Sequence, residues 1–262
     1  MRWLCPLAVS TAFLFAQLPA PNDSGISTGH IHLVVSDPDA QKKIWVDTLG
    51  AQVTNAGTLE LLKFPGIFIV LGKARTAPTG GSDGSTVNHI GFLVKSYADT
   101  KAKLSAANLT FPMDRPENKQ LIAEFPEGVR VEFIEDANLK VPMTFHHIHE
   151  VATDQESVRS WYVKTFGAKA GKRGDYPSAV VPGGEVDFRK ADTAGAPTKG
   201  RSLDHIGFEV KNLEAFCKKL QADGVIFDMA YREMPQLGGL KIAFILDPIG
   251  TRIELTEGFA SK

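Results

Sequence analysis

This sequence of 262 residues has few cysteines, almost no net charge and no long apolar run in its body. It has two cysteines, Cys5 and Cys217, and a net charge of −1. A near-neutral chain gives no electrostatic reason to expect nucleic acid or an anionic membrane as a partner. No apolar run in the body of the chain reaches the roughly 20 residues that a membrane-spanning helix needs. These absences favour a globular protein and give no support to a nucleic-acid or membrane partner.

The amino terminus differs from the rest of the chain. Arg2 is followed by an apolar stretch at residues 3–18 and then by proline and small or polar residues. This order is typical of an export signal, so we predict a signal over residues 1–25 and a periplasmic or extracellular protein. A membrane anchor is the alternative, but the apolar part is short for a span. Signal removal would leave Cys217 alone, in an apolar helix position where we expect it to be buried and inert.

All seven histidines fall within four short segments that repeat along the chain. The segments are GHIHLVV (29–35), NHIGFLV (88–94), HHIHEVA (146–152) and DHIGFEV (204–210). Residues 29–73 align with 146–190 without a gap, and residues 89–132 align with 205–254 with one insertion. The chain is therefore a duplication, and each half divides again into two modules that open on a histidine-bearing strand.

The residue pattern of one module predicts a strand, a helix and about three further strands. In HIGFEV, apolar and polar positions alternate, which indicates a half-buried strand. The helix of NLEAFCKKLQAD begins after Asn212, and in other modules helices begin after Asp37 and Asp154. Apolar alternate positions must face the helix, so His205 and Glu209 face the other side of the sheet, as does Glu254 in the last strand. A face with such groups is expected to line a cup.

Four such modules, opening on HI and in part ending as GVRVEF or GTRIEL, resemble the vicinal oxygen chelate superfamily, which includes glyoxalase I, bleomycin-resistance proteins and extradiol dioxygenases. The resemblance covers nearly the whole chain after the signal. It implies an α+β fold in which βαβββ modules pair into curved mixed sheets, each around one divalent metal. We take residues 26–137 as the first such domain and residues 143–258 as the second.

Carried onto this sequence, the resemblance implies metal ligands from first and last strands. The second half offers His147, His205 and Glu254, and the first half offers His30, His89 and Glu132. The remaining last-strand positions are Val70, which cannot bind a metal, and Asp187, a further candidate ligand. Two imidazoles and a carboxylate leave coordination positions open on Fe, Mn, Zn, Ni or Co, and the identity of the metal stays open.

Further polar residues share these strands. His149, His32 and Arg252 are candidates for catalysis, with extra ligation or ordinary lining of the cup as alternatives. Arg130 and Arg252 lie beside the glutamates, where they either neutralise them or bind an anionic substrate. His146 is expected to be structural. Glu150 falls on the helix-facing side by register, so either the strand ends before it or it pairs with a partner that the sequence does not identify.

The resemblance implies a metal-dependent enzyme acting on a small substrate chelated through vicinal oxygens, either a lyase or isomerase of the glyoxalase type or a non-haem dioxygenase. The alternative is a protein that binds a drug or metabolite without chemistry, as bleomycin-resistance proteins do. One half could also be catalytic while the other, with Val70, is its structural mate. Four modules in one chain are compatible with a monomer, and no nucleic acid or stable membrane partner is expected after signal removal.

Overall fold

The computed structural model describes residues 18–262, and all four predicted modules form in it, each with the order strand, helix and three strands. The first module comprises β1 (Ile26–Val35), α1 (Pro38–Lys43), β2 (Gln52–Ala56), β3 (Leu59–Phe64) and β4 (Ile67–Lys73). The second comprises β5 (Val87–Val94), α2 (Tyr97–Ala106), β6 (Thr110–Arg115), β7 (Gln120–Phe125) and β8 (Val129–Glu135). Residues 1–17, most of the predicted export signal, lie outside the described part.

The second half repeats this arrangement. The third module comprises β9 (Met143–Ala152), α3 (Gln155–Phe166), β10 (Lys169–Arg173), β11 (Tyr176–Val181) and β12 (Gly184–Lys190). The fourth comprises β13 (Leu203–Val210), α4 (Leu213–Ala222), β14 (Phe227–Met234), β15 (Leu240–Leu246) and β16 (Arg252–Glu257). A single π-helical turn (Ile44–Thr48) extends α1, and a short 3₁₀ turn (Phe259–Ser261) follows β16.

A polar side chain begins each helix at the corresponding position of its module. Asp37, Asp154 and Asn212 accept a hydrogen bond from the backbone N–H three residues further on, as the sequence predicts, and Ser96 does so in the second module. Each such cap contributes about 1 kcal/mol. In α4, Cys217 is buried on the apolar face, and burial raises the pKa of its thiol to about 11, which keeps the thiol protonated.

The sixteen strands form two eight-stranded mixed sheets, and each sheet joins one module from each half of the chain. Sheet I has the order β14-β15-β16-β13-β1-β4-β3-β2 and combines the first and fourth modules. Sheet II has the order β10-β11-β12-β9-β5-β8-β7-β6 and combines the second and third. In both, two opening strands pair antiparallel at the centre, β1 with β13 and β5 with β9. The predicted fold class is confirmed.

The predicted pairing of consecutive modules within residues 26–137 and 143–258 is wrong, because those modules lie in different sheets. Consecutive modules share a core instead. Trp45 of the first module packs against Phe92 and Phe125 of the second, with ring centroids 6.0 and 4.8 Å apart. In the second half, Phe166 packs on Phe208 at 4.7 Å. Each half is therefore held together by its helix-side apolar core, while the backbone pairing of the sheets crosses between halves.

Within residues 18–262, no helix is both long enough and apolar enough to cross a membrane. The helices instead bury one face against the sheets. The core formed there contains the strand positions predicted to face the helices, such as Ile206, Phe208 and Val210. The opposite faces of the two sheets carry histidine and glutamate side chains, among them His30, His147, Glu132 and Glu254.

Candidate metal centres

Three neighbouring strands of sheet I bring a histidine, a glycine and a glutamate into one row. His30 of β1 pairs with Gly207 of β13, and Gly207 pairs with Glu254 of β16. The ring of His30 extends over the glycine, and its Nε2 lies 2.9 Å from Glu254 Oε2. His205, two residues before Gly207, places its Nε2 2.9 Å from the same oxygen. We call His30, His205, Glu254 and the adjacent His32 site I; one donor atom of each lies within 4.8 Å of the others.

The same row occurs in sheet II with the other two modules. His147 of β9 pairs with Gly91 of β5, which pairs with Glu132 of β8. The Nε2 of His147 lies 3.1 Å from Glu132 Oε2 and 3.4 Å from the Nε2 of His89. The Nε2 of His89 lies 3.7 Å from the same glutamate oxygen. We call His89, Glu132 and His147 site II; all three are buried.

Glycine is required at the centre of each row because the histidine ring occupies the space of a side chain. A Cβ at Gly91 would lie 1.9 Å from Cε1 of His147, and one at Gly207 would lie 2.2 Å from Cε1 of His30. Both distances are far below van der Waals contact. The glycine of each HIGF segment therefore holds space for a histidine from the partner module in the same sheet.

The residue before each HIGF histidine fixes the orientation of its ring. His205 donates from Nδ1 to Asp204 at 2.7 Å, and His89 donates from Nδ1 to Asn88 at 2.9 Å. Because the acceptors are oxygens, Nδ1 carries the proton, and Nε2 is the ring nitrogen that faces the site and would bind a metal there. Arg252 donates to Asp204 at 2.9 Å and to Asp228 at 2.8 Å, and its guanidinium stacks on Phe244.

Site I lies against an apolar wall. On the far side of β1, His30 and His32 pair with Phe68 and Val70 of β4. Phe259 of the C-terminal 3₁₀ turn packs edge-on against the His30 ring at 5.2 Å. The backbone N–H groups of Gly258 and Ala260 donate to Glu209, which faces the cup as predicted.

Site II has an acidic wall with an arginine. His149 pairs with Asp187 of β12 and hydrogen-bonds to it through Nδ1. Arg173 donates from Nε to the second oxygen of Asp187 at 2.5 Å, and its NH1 lies 3.8 Å from Glu132 Oε2. Asp187 approaches the Nε2 of His147 only to 4.0 Å. Both oxygens of Asp187 are thus engaged outside the triad.

Burial and charge set the protonation of these groups. Burial lowers the pKa of His147 to about 4, so its ring is neutral near pH 7 and able to bind a metal. Burial opposes ionisation of Glu254 and Glu132, but hydrogen bonds and charges from the histidines outweigh it and hold the pKa of both carboxyls well below the usual range. Site II therefore combines neutral imidazole with carboxylate, the usual donor set for a divalent transition metal. In site I, burial opposes protonation of His205, but hydrogen bonds to Asp204 and Glu254 outweigh it and raise the pKa of this ring, so a metal bound there would displace a proton.

Two further observations indicate that the residues of sites I and II could hold a divalent metal ion. A metal bound to nitrogen and oxygen at about 2.0–2.2 Å brings its ligand atoms about 3–3.5 Å apart, close to the spacing in both sites. Within residues 18–262, Glu132 Oε2 is buried without a hydrogen bond although two Nε2 atoms lie near it. A buried acceptor without a hydrogen bond is costly unless something else compensates it.

The structure brings together six of the seven predicted ligands, in groupings that differ from those of the sequence, and leaves Asp187 outside both groups. His30 joins His205 and Glu254, and His147 joins His89 and Glu132, because the sheets cross between halves. The roles of these residues as ligands stay predictions. Glu150 has the partner that the sequence did not identify: it accepts from Tyr162 OH at 2.9 Å, and Tyr162 OH lies 3.4 Å from Asp247.

Of the other polar residues, His146 contacts the Nδ1 of His147 at 2.9 Å, which suits an orienting role. Arg130 lies beside Asp83 and Glu124. Sequence reasoning missed Asp204, Asn88 and Arg173. The first two had a signal, since each directly precedes an HIGF histidine. Arg173 had none, because its strand carries no recognisable motif.

Comparison with known proteins agrees with this architecture. Residues 144–255 match the family model described as Glyoxalase/Bleomycin resistance protein/Dioxygenase superfamily. The resemblance predicted from the repeated segments is thereby confirmed. A search of the curated proteins found no match.

Solved structures share the fold at low identity. Glyoxalase I from Zea mays is 17% identical, with a TM-score of 0.68 over 90% of this chain and 94% of that one. A point variant of the same maize enzyme has a TM-score of 0.70 at 15% identity, over 90% of this chain and 95% of that one. A candidate dioxygenase from Bacillus subtilis has a TM-score of 0.69 at 15% identity, over 94% of this chain and 88% of that one. These similarities show the fold alone.

Proposed function

We propose that the protein is a divalent-metal-dependent enzyme that acts on a small substrate held through vicinal oxygens. The observation that carries this proposal is the convergence, twice in one chain, of two histidine nitrogens on one glutamate oxygen from three adjacent strands. Such a bound metal would act as a Lewis acid toward adjacent oxygens of the substrate. His89, His147 and Glu132 would hold it in site II, and His30, His205 and Glu254 in site I.

Site II is the better candidate for catalysis because its wall supplies polar groups beside the triad. His149 stacks on His89 at 4.5 Å between centroids, and its Nδ1 is engaged by Asp187, so its Nε2 is left for other partners. Arg173 provides a positive charge, and the ring centroid of Tyr176 lies 5.1 Å from that of His149. In site I the corresponding wall is Phe68 and Val70. Arg252 is committed to Asp204 and Asp228, which favours an orienting role over catalysis.

Two reaction classes fit the donor set, a glyoxalase-type lyase or isomerase and a non-haem dioxygenase. A site with four protein ligands, as the glyoxalase I resemblance implies, would need Asp187 as a second carboxylate in site II. The oxygens of Asp187 are hydrogen-bonded to His149 and Arg173 instead. Two imidazoles and one carboxylate with open positions is the arrangement typical of non-haem Fe(II) oxygenases. The geometry of site II therefore favours the dioxygenase class.

The decisive experiment is elemental analysis of the purified protein together with His89→Ala and His205→Ala variants. We expect His89→Ala to remove the metal of site II and His205→Ala that of site I. Oxygen uptake with 1,2-diols, and loss of 2-oxoaldehydes with a thiol, would then be measured for each form. Activity lost with His89→Ala and kept with His205→Ala supports the proposal. Absence of metal after reconstitution with Fe(II), Mn(II), Zn(II), Ni(II) and Co(II) would contradict it.

A second candidate function is binding of a small molecule without chemistry. The observation in its favour is a cleft of about 1060 Å³ on the helix side of the first half. Its apolar wall includes Leu49, Phe64, Leu109, Phe125 and Met143, and none of its lining residues belongs to site I or site II. A volume of this size suits a small organic ligand. Binding of apolar dyes that persists in His89→Ala and His205→Ala variants would support this function.

We also propose that the protein is exported, as the basic and apolar start of the sequence suggests. The contacts of Asn22 restrict where a signal could be removed. Its side chain donates to the carbonyl of Phe166 at the end of α3 and accepts from the backbone N–H of Ile26 at the start of β1. We expect cleavage before Asn22, which mass spectrometry of protein from a periplasmic or secreted fraction would detect. Full-length protein in the cytosol would contradict export.

A further inference from the structure

His32 and His149 occupy equivalent positions in the two sheets but differ in what faces them. His32 of β1 pairs with Val70 of β4, whereas His149 of β9 pairs with Asp187 of β12. Asp187 binds the Nδ1 of His149 and so keeps this ring in the wall of site II. Valine has no group that could do the same for His32. Among residues 18–262, the His32 side chain has no hydrogen-bond partner.

The ring of His32 lies instead beside the other donors of site I. Its centroid is 4.5 Å from that of His205, and one of its nitrogens is within 4.8 Å of donor atoms on His30, His205 and Glu254. His149 is not part of the corresponding group in sheet II, which consists of His89, Glu132 and His147. The two sites therefore present different numbers of donors.

Gly72 of β4 provides the space for this placement. A Cβ at Gly72 would lie 2.9 Å from the His32 Nε2, so any side chain there would displace the ring. The equivalent position in β12 is Arg189, which carries a long side chain. Val70 offers His32 no hydrogen-bond partner that could hold its ring in the wall. Gly72 has no side chain that could block the ring from its place beside the other donors of site I.

We propose that His32 is a fourth protein ligand of site I, in place of the last-strand ligand that Val70 cannot supply. Site I then combines three imidazoles and one carboxylate, whereas site II has two imidazoles and one carboxylate. A site richer in imidazole favours Ni(II), Cu(II) and Zn(II), and a fourth protein ligand leaves fewer positions for substrate. This inference rests on the proposed metal binding but concerns only how site I is completed.

The test uses protein in which His89→Ala has emptied site II, so that only site I is measured. Co(II) affinity is determined by competition with a chelator for this protein and for the same protein carrying His32→Ala, His32→Gln or Gly72→Ala. His149→Ala is the matched control at the equivalent position of the other sheet. Cu(II)-loaded samples are also examined by pulsed electron paramagnetic resonance, which counts coordinated imidazoles. Thermal unfolding of each apoprotein establishes that it is folded.

Removal of His32 is expected to raise the Co(II) Kd at least tenfold, since even residues that only orient a ligand cost 10–100-fold, whereas His149→Ala leaves it unchanged. The imidazole count should fall from three to two, and Gly72→Ala should weaken binding although it removes no ligand. If His205→Ala abolishes binding but His32 and Gly72 variants bind normally, His32 is not a ligand and the proposed function stands. If the His89→Ala protein binds no metal, site I is not a metal site and the proposed role of His32 as its fourth ligand is wrong.

Discussion

His147 lies directly over Gly91, its paired residue on the neighbouring strand, at a distance that leaves no room for a methyl group. A Cβ on Gly91 would be 1.9 Å from the ring. The two residues are in different halves of the sequence, so this contact exists only because β9 pairs with β5. The relationship between Gly207 and His30 is its counterpart in sheet I.

Gly91→Ala is therefore expected to disturb the metal at site II and leave site I intact, with Gly207→Ala doing the reverse. The added methyl must push aside a ring whose nitrogen is a proposed ligand, so we expect at least about a tenfold loss of metal affinity at the affected site. Metal content of Gly91→Ala combined with either His89→Ala or His205→Ala identifies the site. If Gly91→Ala weakened the site that contains His30, the crossed pairing of the modules would be wrong.

Asp204 and Asn88 form a matched pair, because they orient the histidines of the two sites with different charge. Asp204→Asn removes a carboxylate that makes His205 a stronger donor, and we expect Co(II) affinity at site I to fall 10–100-fold. Asn88→Asp should strengthen binding at site II for the same reason. Chelator competition on each single-site protein measures both. Equal affinity for Asp204→Asn and wild type would show that the Asp204 hydrogen bond does not tune the ligand.

Arg173 would compete with a metal bound at site II, because it lies beside the carboxylates of Glu132 and Asp187. It lies 3.8 Å from Glu132 Oε2 and holds one oxygen of Asp187. Arg173→Gln removes a like charge next to the cation and frees Asp187, so we expect metal to bind about tenfold more tightly at site II. Titration of the His205→Ala protein with and without Arg173→Gln tests this. Weaker binding in the variant would mean that Arg173 supports the site.

The buried pair of Glu150 and Asp247 predicts that stability falls as pH rises. Burial raises the pKa of Asp247 to about 6, and burial together with the Asp247 charge raises the pKa of Glu150 well above its usual value. Above about pH 4 the unfolded chain has released the protons of these two carboxyls, whereas the folded protein still holds them. The free energy of unfolding therefore decreases as the pH rises from about 4 through about 6. Tyr162, the other titratable group in contact, stays neutral because burial raises the pKa of its phenol.

Urea unfolding of wild type and Asp247→Asn at pH 5 and pH 8 measures this effect. Asparagine keeps an acceptor for the N–H groups of Ile249 and Thr251, which Asp247 binds, but has no charge to bury. We expect the difference in stability between the two pH values to shrink by on the order of 2 kcal/mol in the variant. Metal ligands titrate in both proteins and cancel in the comparison. An unchanged difference would contradict the argument.

The sequence was sufficient for the local structure because its signals are local. Capping residues at Asp37, Asp154 and Asn212 begin helices where predicted. Alternation in DHIGFEV and in the last strand GTRIEL correctly placed His205 and Glu254 on the face away from the helix. The donor residues of both sites could likewise be recognised from their position in the repeat. Asp187 was predicted on the same basis, but its engagement with Arg173 depends on a strand whose sequence has no distinctive feature.

By itself, then, the sequence determined the module, its repetition and the face on which the histidines lie, since each follows from periodicity along a single strand or helix. Which modules share a sheet was decided only by the tertiary structure. The opening strands are nearly interchangeable, because any two of them can form the same backbone hydrogen bonds and bury the same alternate positions. The shared aromatic cores of each half and the fit of His147 over Gly91 and His30 over Gly207 select the crossed arrangement, and with it the composition of each site.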